Sequence, residues 1–255
     1  MRLKSLVPST EVLSGRNLGS WMGLAFAAGS VNATALAACH RFVTHVTGTV
    51  THIGVNVGSW GLVAEYAVVL GCFVLGAMTA VLLLDGRRIR GLASLPWLPL
   101  ATVSALLAGC GIAGHLGAFG PFGGQAETRA DFAFLSILAF ALGLQNASVA
   151  NATGSQIRST HMTGPATDLG VALALLMLRN LPREHDRAAR QTVRLRGGQL
   201  FAFAVGGAAS AISVVHLEYL ALLVPAVICA VVAAHVFGSI RIPMAVRRPD
   251  ALMED

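Results

Sequence analysis

The sequence predicts an all-α integral membrane protein built from two homologous halves, and three observations support this prediction. The 255 residues are 55% hydrophobic and only 12% charged, and the mean hydropathy is +0.69. Soluble domains carry about 25% charged residues. Long apolar runs without Asp, Glu, Lys or Arg recur along the chain, and a polar motif between them occurs twice.

Six apolar runs are candidates for membrane-spanning helices, which need about 20 mostly apolar residues. They cover residues 18–38, 66–84, 97–118, 132–150, 199–217 and 219–238. The first run is predicted to be a helix and not a cleaved signal peptide, because it contains one copy of an internal repeat. The net charge of +6 comes from arginines between the runs, which favours anchoring at the inner face of a membrane over nucleic-acid binding.

The repeated polar motif belongs to a longer duplication. THVTGTVTHIGV at 44–55 shares seven of twelve positions with THMTGPATDLGV at 160–171, at an offset of 116 residues. Upstream, LAFAAGSVNA at 24–33 shares seven of ten positions with LAFALGLQNA at 138–147, at an offset of 114. Two matches in one order and at nearly one offset predict two homologous halves, an organisation frequent in secondary transporters.

The halves are expected at residues 18–118 and 131–238. The remainder is predicted to be a cytoplasmic tail at 1–17, an extracytoplasmic loop at 119–130, a cytoplasmic basic loop at 179–198 and a cytoplasmic tail at 239–255. The basic loop could form an amphipathic helix that contacts lipid head groups.

Each half also contains a weakly apolar segment, at 45–64 and 161–178. The unbroken apolar part of the second is 169–178, and ten helical residues rise about 15 Å, half of a bilayer core of about 30 Å. If both segments are re-entrant or broken helices, sixteen of the eighteen basic residues lie inside; if both cross, thirteen do. The positive-inside rule therefore favours two inverted halves of three crossings each, with both termini cytoplasmic in the plasma membrane.

The Thr-x-Thr-Gly motif predicts the start of a half-helix in each weak segment. Thr47 or Gly48 would cap the first, and Thr163 or Gly164 the second, with Pro165 in its first turn. Free N–H groups at such an end favour an anion, and two inverted copies would aim both ends at the bilayer midplane. The candidate solute-binding residues are Asn32, Thr47, Gly48, Thr51, Gln145, Asn146, Thr163, Gly164 and Thr167. The alternative is that Thr and Gly serve only helix packing.

Ionisable residues in the same motif are candidates for proton or ion coupling. Asp168 is the acidic one, since an ionisable residue within a membrane segment is a functional candidate; helix-dipole compensation is the alternative. The other two candidates are His45 and His161, which are equivalent to each other; the residue equivalent to Asp168 in the first half is His52. The seven-residue spacing within each half spans about 10.5 Å on a helix, too far for one metal ion, so neither a metal nor another cofactor is predicted. The cysteines are expected to be small buried hydrophobes.

The chain resembles the YoaK family, bacterial inner-membrane proteins classed as a domain of unknown function. The resemblance covers about residues 18–238 and rests on the Gly-x-x-Asn-Ala helix end and on the Thr-Gly motif with Thr167 and Asp168. It implies a multi-helix membrane fold and no known substrate. The family commonly has Asp where this chain has Asn32, and Asn where it has Thr49. If that Asp carries protons in relatives, coupling here would use Asp168 or a histidine.

These patterns predict a secondary-transporter-like protein for a small polar or anionic solute, embedded in the lipid bilayer. The alternative is a non-transporting assembly or signalling protein whose repeats only pack. An intramembrane enzyme ranks third, because no G-x-S-x-G, H-E-x-x-H or P-loop motif occurs. Substrate, direction, driving ion and oligomeric state do not follow from the sequence.

Overall fold

The fold is helical throughout the residues that the computed structural model describes, which are 15–124, 128–178 and 182–239. The helices are α1 (Gly15–Cys39), α2 (Val46–Val55), α3 (Trp60–Ile89), α4 (Leu98–His115), α5 (Arg129–Ala152), α6 (Thr163–Met177), α7 (Arg183–Leu217) and α8 (Leu223–Ser239), with a 3-10 turn at Glu218–Leu222 before α8. All six predicted apolar runs lie within helices or their immediate ends. Most of both predicted tails, residues 1–14 and 240–255, lies outside the described residues.

In the part of the chain that the structure describes, five helical segments are long and apolar enough to cross a membrane. Four of them are essentially α1, α3, α4 and α5, and the fifth, Arg183–Val236, runs from α7 through the 3-10 turn into α8. Large hydrophobic side chains such as Leu82, Phe201 and Ile212 are exposed on α3 and α7, which is the surface that lipid would cover. These features confirm the prediction of a multi-pass membrane protein at the level of its class.

Helices α2 and α6 are too short to cross a bilayer. With 10 and 15 residues, they span about 15 and 22 Å against a hydrocarbon core of about 30 Å. The expected caps differ from the observed ones. The N-cap positions are His45 and Met162, and neither makes a side-chain cap hydrogen bond. The helices start earlier than predicted, because the carbonyls of His45 and Met162 already accept the N–H groups of Thr49 and Ala166.

The basic stretch expected as a loop at 179–198 is helical where it is described. Helix α7 begins at Arg183 and continues without a break into the apolar run. Asp186 and Arg190 form an i,i+4 ion pair on this first part of the helix, with N–O distances of 2.9 and 3.2 Å. Acidic residues in the first turn, Glu184 and Asp186, favour starting the helix there.

Two helix pairs pack with their backbones almost in contact. In the pair α1–α7, a Cβ added to Gly29 or to Gly206 would lie 2.0 Å from the carbonyl oxygen of Phe203 or Phe26. In the pair α3–α5, a Cβ on Gly76 or Gly143 would lie 2.1 Å from the carbonyl oxygen of Phe140 or Phe73. Only glycine fits at these four positions. Small residues that admit such close approach are typical of helix contacts within membranes.

Contacts along the helices give their relative directions. Gly29 of α1 meets Phe203, and Thr34 bonds Ser210 (Oγ1–Oγ 2.7 Å) further along both helices, so α1 and α7 are parallel. Tyr66 packs on Phe132 and Asp85 accepts from Asn151, so α3 and α5 are parallel too. Ser104 donates to the Ala226 carbonyl (2.8 Å), whereas Gly111 lies against Leu222. Helices α4 and α8 are therefore antiparallel.

Candidate functional site

An asparagine near the end of α1 folds the following segment back against the helix. The Asn32 side-chain oxygen accepts the backbone N–H groups of Val43 and Thr44, both at 3.0 Å, and its nitrogen donates to the Thr44 hydroxyl. The equivalent Asn146 near the end of α5 accepts the Thr160 N–H at 3.3 Å. Each asparagine thus holds the backbone just before a short helix beside the asparagine itself, several residues before the end of the preceding helix.

A histidine side chain covers the N-terminus of each short helix. His161 Nε2 accepts the Gly164 N–H at 3.2 Å. In α2, a Cβ on Gly48 would lie 2.0 Å from His45 Cδ2 and 2.6 Å from its Nε2. The glycine of the Thr-Gly motif therefore leaves room for a histidine ring, which explains why His-x-Thr-Gly occurs in both copies.

The two short helices start at one cavity of about 410 Å³. The fourteen described residues that line this cavity form seven pairs. Six pairs are related by the sequence offsets of 114 or 116, and the seventh pair, Phe73 and Phe203, holds the same place in the reciprocal glycine contacts. The lining residues are Asn32 with Asn146, Phe42 with Arg158, Thr44 with Thr160, His45 with His161, Val46 with Met162, Thr47 with Thr163, and Phe73 with Phe203.

Six predicted residues lie together in this cavity. They are the solute-binding candidates Asn32, Thr47, Asn146 and Thr163 and the coupling candidates His45 and His161. A second cavity of about 420 Å³ shares His45 and Thr47 with it and is also lined by Gly48, Thr51 and His52. The predicted roles in solute binding and coupling remain predictions.

The other predicted residues lie outside the first cavity. Gln145 is fully buried in the helix packing, where its Nε2 donates to the Leu24 carbonyl and the Ser159 hydroxyl, both at 3.0 Å. Gly164 lies under the His161 ring. The Thr167 hydroxyl donates to the Thr163 carbonyl within α6 at 3.1 Å.

Asp168 is paired with a residue of the neighbouring helix. Its Oδ2 lies 3.0 Å from Arg196 Nε, and the Asp168 side chain is 49% exposed. The equivalent position in the first half is His52, whose ring stacks on Tyr66 with centroids 4.9 Å apart. The ion pair joins α6 to α7, and the stack joins α2 to α3. The carboxylate is thus placed beside the cavity, and not in it.

Arg158, Phe42, Phe73 and Phe203 line the cavity but are not among the candidate residues predicted from the sequence. Arg158 is one of the sixteen basic residues that the topology prediction places inside, and the offset of 116 makes it equivalent to Phe42. Phe73 and Phe203 lie in matching Phe-x-x-Gly stretches, 73–76 and 203–206. In so apolar a sequence, a match of two residues is not distinguishable from chance. In the described residues, no group of three or more His, Cys, Asp or Glu could hold a metal ion, and all four cysteines are free thiols.

Comparison with protein families identifies the class of the chain. Residues 21–235 match the family described as protein of unknown function (DUF1275). The chain belongs to the DUF1275 family. The match covers both halves, including every residue that lines the first cavity. Searches of the curated proteins and of the solved structures returned no match. The DUF1275 assignment agrees with the predicted family of unknown function, and the family description names no substrate.

Proposed function

We propose that this DUF1275 protein is a secondary-transporter-like membrane protein that binds a small polar or anionic solute between its two halves. One observation carries the proposal: the first residues of two short helices, one from each half, line a single cavity. Transporters built from repeats bind their substrates at the repeat interface, against the N-termini of broken helices. Hydroxyl, amide, imidazole and guanidinium groups line the cavity beside aromatic rings, as in sites for small solutes.

An inverted relation between the halves is part of this proposal, and the helix directions support it. Gln145 near the end of α5 bonds Leu24 in the first half of α1. At the other end, the Gly123 N–H donates to the Ala38 carbonyl of α1, and Phe119 of the same turn packs on Phe134 near the start of α5. The equivalent helices α1 and α5 are thus antiparallel, and so are α4 and α8. Eight full crossings would make both pairs parallel.

The asparagine clamps support re-entrant segments. Asn32 lies seven residues before the end of α1, which corresponds to about 10 Å of helix. Because Asn32 binds the backbone of Val43 and Thr44, the chain re-enters the protein by about that depth before α2 begins. Asn146, six residues before the end of α5, does the same for α6. Both N-termini then lie near the middle of the proposed bilayer.

We further propose that both termini are cytoplasmic and that the membrane is the plasma membrane of a bacterium, in line with the resemblance to the YoaK proteins. Because Arg158 lines the cavity, it is not counted here as an orientation signal. Fifteen of the remaining seventeen basic residues then lie on the inner side, with Arg41 and Arg129 outside. The positive-inside rule still favours this orientation.

The alternative is a non-transporting assembly or signalling protein. The reciprocal glycine contacts favour it, since helix pairs with backbones in contact form a rigid scaffold. Neither reading involves catalysis, metal or cofactor. The two differ in whether the cavity opens to both sides of the membrane.

Access to the cavity from the two sides tests the proposal. Val46 and Met162 are equivalent lining residues with apolar side chains. Each is replaced by Cys in a variant without Cys39, Cys72, Cys110 and Cys229, and right-side-out and inside-out vesicles are treated with an impermeant thiol reagent. A transporter predicts that each new thiol reacts from both sides, because the cavity opens alternately. Reaction from one side only, or from neither, would favour the packing alternative.

Leu92→Cys provides the control and tests the topology. Leu92 is half-exposed in the turn after α3, so its thiol should react from a single side in any topology. Protection in intact cells and labelling after lysis are expected if the halves are inverted. Labelling from outside would mean that the weak segments cross and that the halves are parallel.

A further inference from the structure

The first cavity carries a positive charge on the side of the second half and none at the equivalent position of the first half. Among the described residues, its lining contains one arginine, Arg158, and no lysine, aspartate or glutamate. At the equivalent position of the other half stands Phe42, which also lines the cavity. The remaining pairs keep polar opposite polar and apolar opposite apolar. The charge at Arg158 is therefore the main chemical difference between the two sides of the site.

We propose that the cavity binds an organic monoanion, a carboxylate carried on an aromatic ring, and that Arg158 is the residue that sets the charge of the ligand. This inference rests on the proposed function and names the class of its solute. A planar guanidinium binds a carboxylate through two parallel N–H···O bonds, which combines charge with geometry.

Neighbouring hydrogen-bond donors support an anion. The Asn146 side chain is 8% exposed and lines the cavity, and its oxygen is occupied by the Thr160 N–H. Among the hydrogen bonds of the described residues, Asn146 makes none through Nδ2, so this nitrogen can donate to a ligand oxygen in the cavity. Thr47 and Thr163 add hydroxyl groups from the first turns of α2 and α6. The positive N-terminal ends of the α2 and α6 dipoles also favour a negative charge on the ligand.

The aromatic residues define the other part of the ligand. Phe73 and Phe203 face the cavity from α3 and α7, and Phe42 completes an apolar wall. Aromatic rings that offer an edge or a face favour an aromatic ligand beyond what the buried area alone contributes. A dianion would need a second fixed cation, and the position equivalent to Arg158 holds Phe42 instead. The lining therefore fits one negative charge beside one apolar ring.

Three probes of nearly equal shape test the charge preference. The full chain is purified in detergent, and binding of benzoate, benzamide and benzylamine is measured by titration calorimetry. Benzoate is expected to bind about 10- to 100-fold more tightly than benzamide, the range for a hydrogen bond to a charged group. Benzylamine is expected to bind least. In Arg158→Gln the affinity for benzoate should fall to about that for benzamide, so the preference for the carboxylate is lost.

The pairing of the lining residues offers a matched rescue. Phe42→Arg combined with Arg158→Phe moves the cation to the equivalent position of the other half and keeps the composition of the cavity. This double variant should regain most of the preference for benzoate, because the pairs surround both positions with the same chemistry. A folded Arg158→Gln protein that still prefers benzoate, or a double variant without the preference, would overturn the assignment to Arg158.

The outcomes separate this inference from the proposed function. If none of the three probes binds, the aromatic carboxylate is wrong, whereas the cysteines at 46 and 162 still report whether the cavity opens to both sides. If benzoate binds through Arg158 but these cysteines react from one side only, the site stands and the transport proposal fails. Equal binding of benzoate and benzamide would also overturn the inference, since the charge would then contribute nothing.

Discussion

The two halves of this DUF1275 protein share their backbone contacts and differ in how each short helix is joined to the next long one. In the first half, His52 of α2 stacks on Tyr66 of α3. In the second half, Asp168 of α6 pairs with Arg196 of α7 at the equivalent positions. The glycine contacts, the asparagine clamps and the histidines over the N-termini are common to both. The shared features build the cavity, and the differing pairs give its two sides different chemistry.

This difference has a consequence for how the two sides would open. A half-exposed ion pair is weakened by salt and contributes about 0–1 kcal/mol. A stack of two rings responds little to ionic strength. In the proposed transporter, the connection between α6 and α7 is therefore sensitive to salt, and the connection between α2 and α3 is not.

The shared glycine contacts predict the largest effect of a substitution. In Gly76→Ala the new methyl would lie 2.1 Å from the Phe140 carbonyl oxygen, so α3 and α5 must separate. We expect a loss of stability of about 1–3 kcal/mol or more, as for other overpacked positions, seen as a lower melting temperature in detergent. Gly71→Ala on the same helix, where nothing lies within 4 Å, should cause no loss. Equal effects of the two variants would contradict the close packing.

The asparagine clamps predict a difference between the halves. Asn32→Ala leaves the N–H groups of Val43 and Thr44 without their acceptor, whereas Asn146→Ala leaves only that of Thr160. An unsatisfied buried group costs about 1–3 kcal/mol, so the first variant should be the less stable one in thermal unfolding. Asn146→Ala should instead weaken benzoate binding more. The reverse order of stability would mean that the first clamp contributes little.

Much of this architecture could be predicted from the sequence because it repeats there. The six apolar runs, the short weak segments and six of the lining residues follow from composition and from the two matches. The position of Asp168 could not be predicted, because a motif does not tell which face of a short helix meets a neighbour. The role of Gly48 and Gly164 was also missed: they were expected to cap helices, yet they make room for histidine rings.

The ion pair predicts a larger effect on activity than on stability. Asp168→Asn removes a pair whose carboxylate is 49% exposed, so stability should change by about 0–1 kcal/mol. If Asp168 couples an ion or closes the site, uptake of benzoate into proteoliposomes should be lost in a folded protein. Exchanging the partners, Asp168→Arg with Arg196→Asp, separates the two roles. Restored uptake would indicate a closing contact, and continued loss would indicate a specific need for the carboxylate at 168.

The smallest effect is expected where the two halves are most alike, at the glycines under the histidine rings. A methyl at position 48 would lie 2.0 Å from the His45 ring, whereas one at position 164 would lie 2.9 Å from the His161 ring. Replacing Gly by Ala within a helix is itself favourable by about 1 kcal/mol, and this contribution largely cancels when Gly48→Ala is compared with Gly164→Ala. The difference in melting temperature then reports the contacts with the histidine rings. Gly48→Ala should be the less stable variant, because its methyl lies closer to the ring. The margin should be small, because a histidine side chain can rotate away. If Gly48→Ala is as stable as Gly164→Ala, the His45 ring has no fixed place over α2, and the two helix ends differ more than their shared motif indicates.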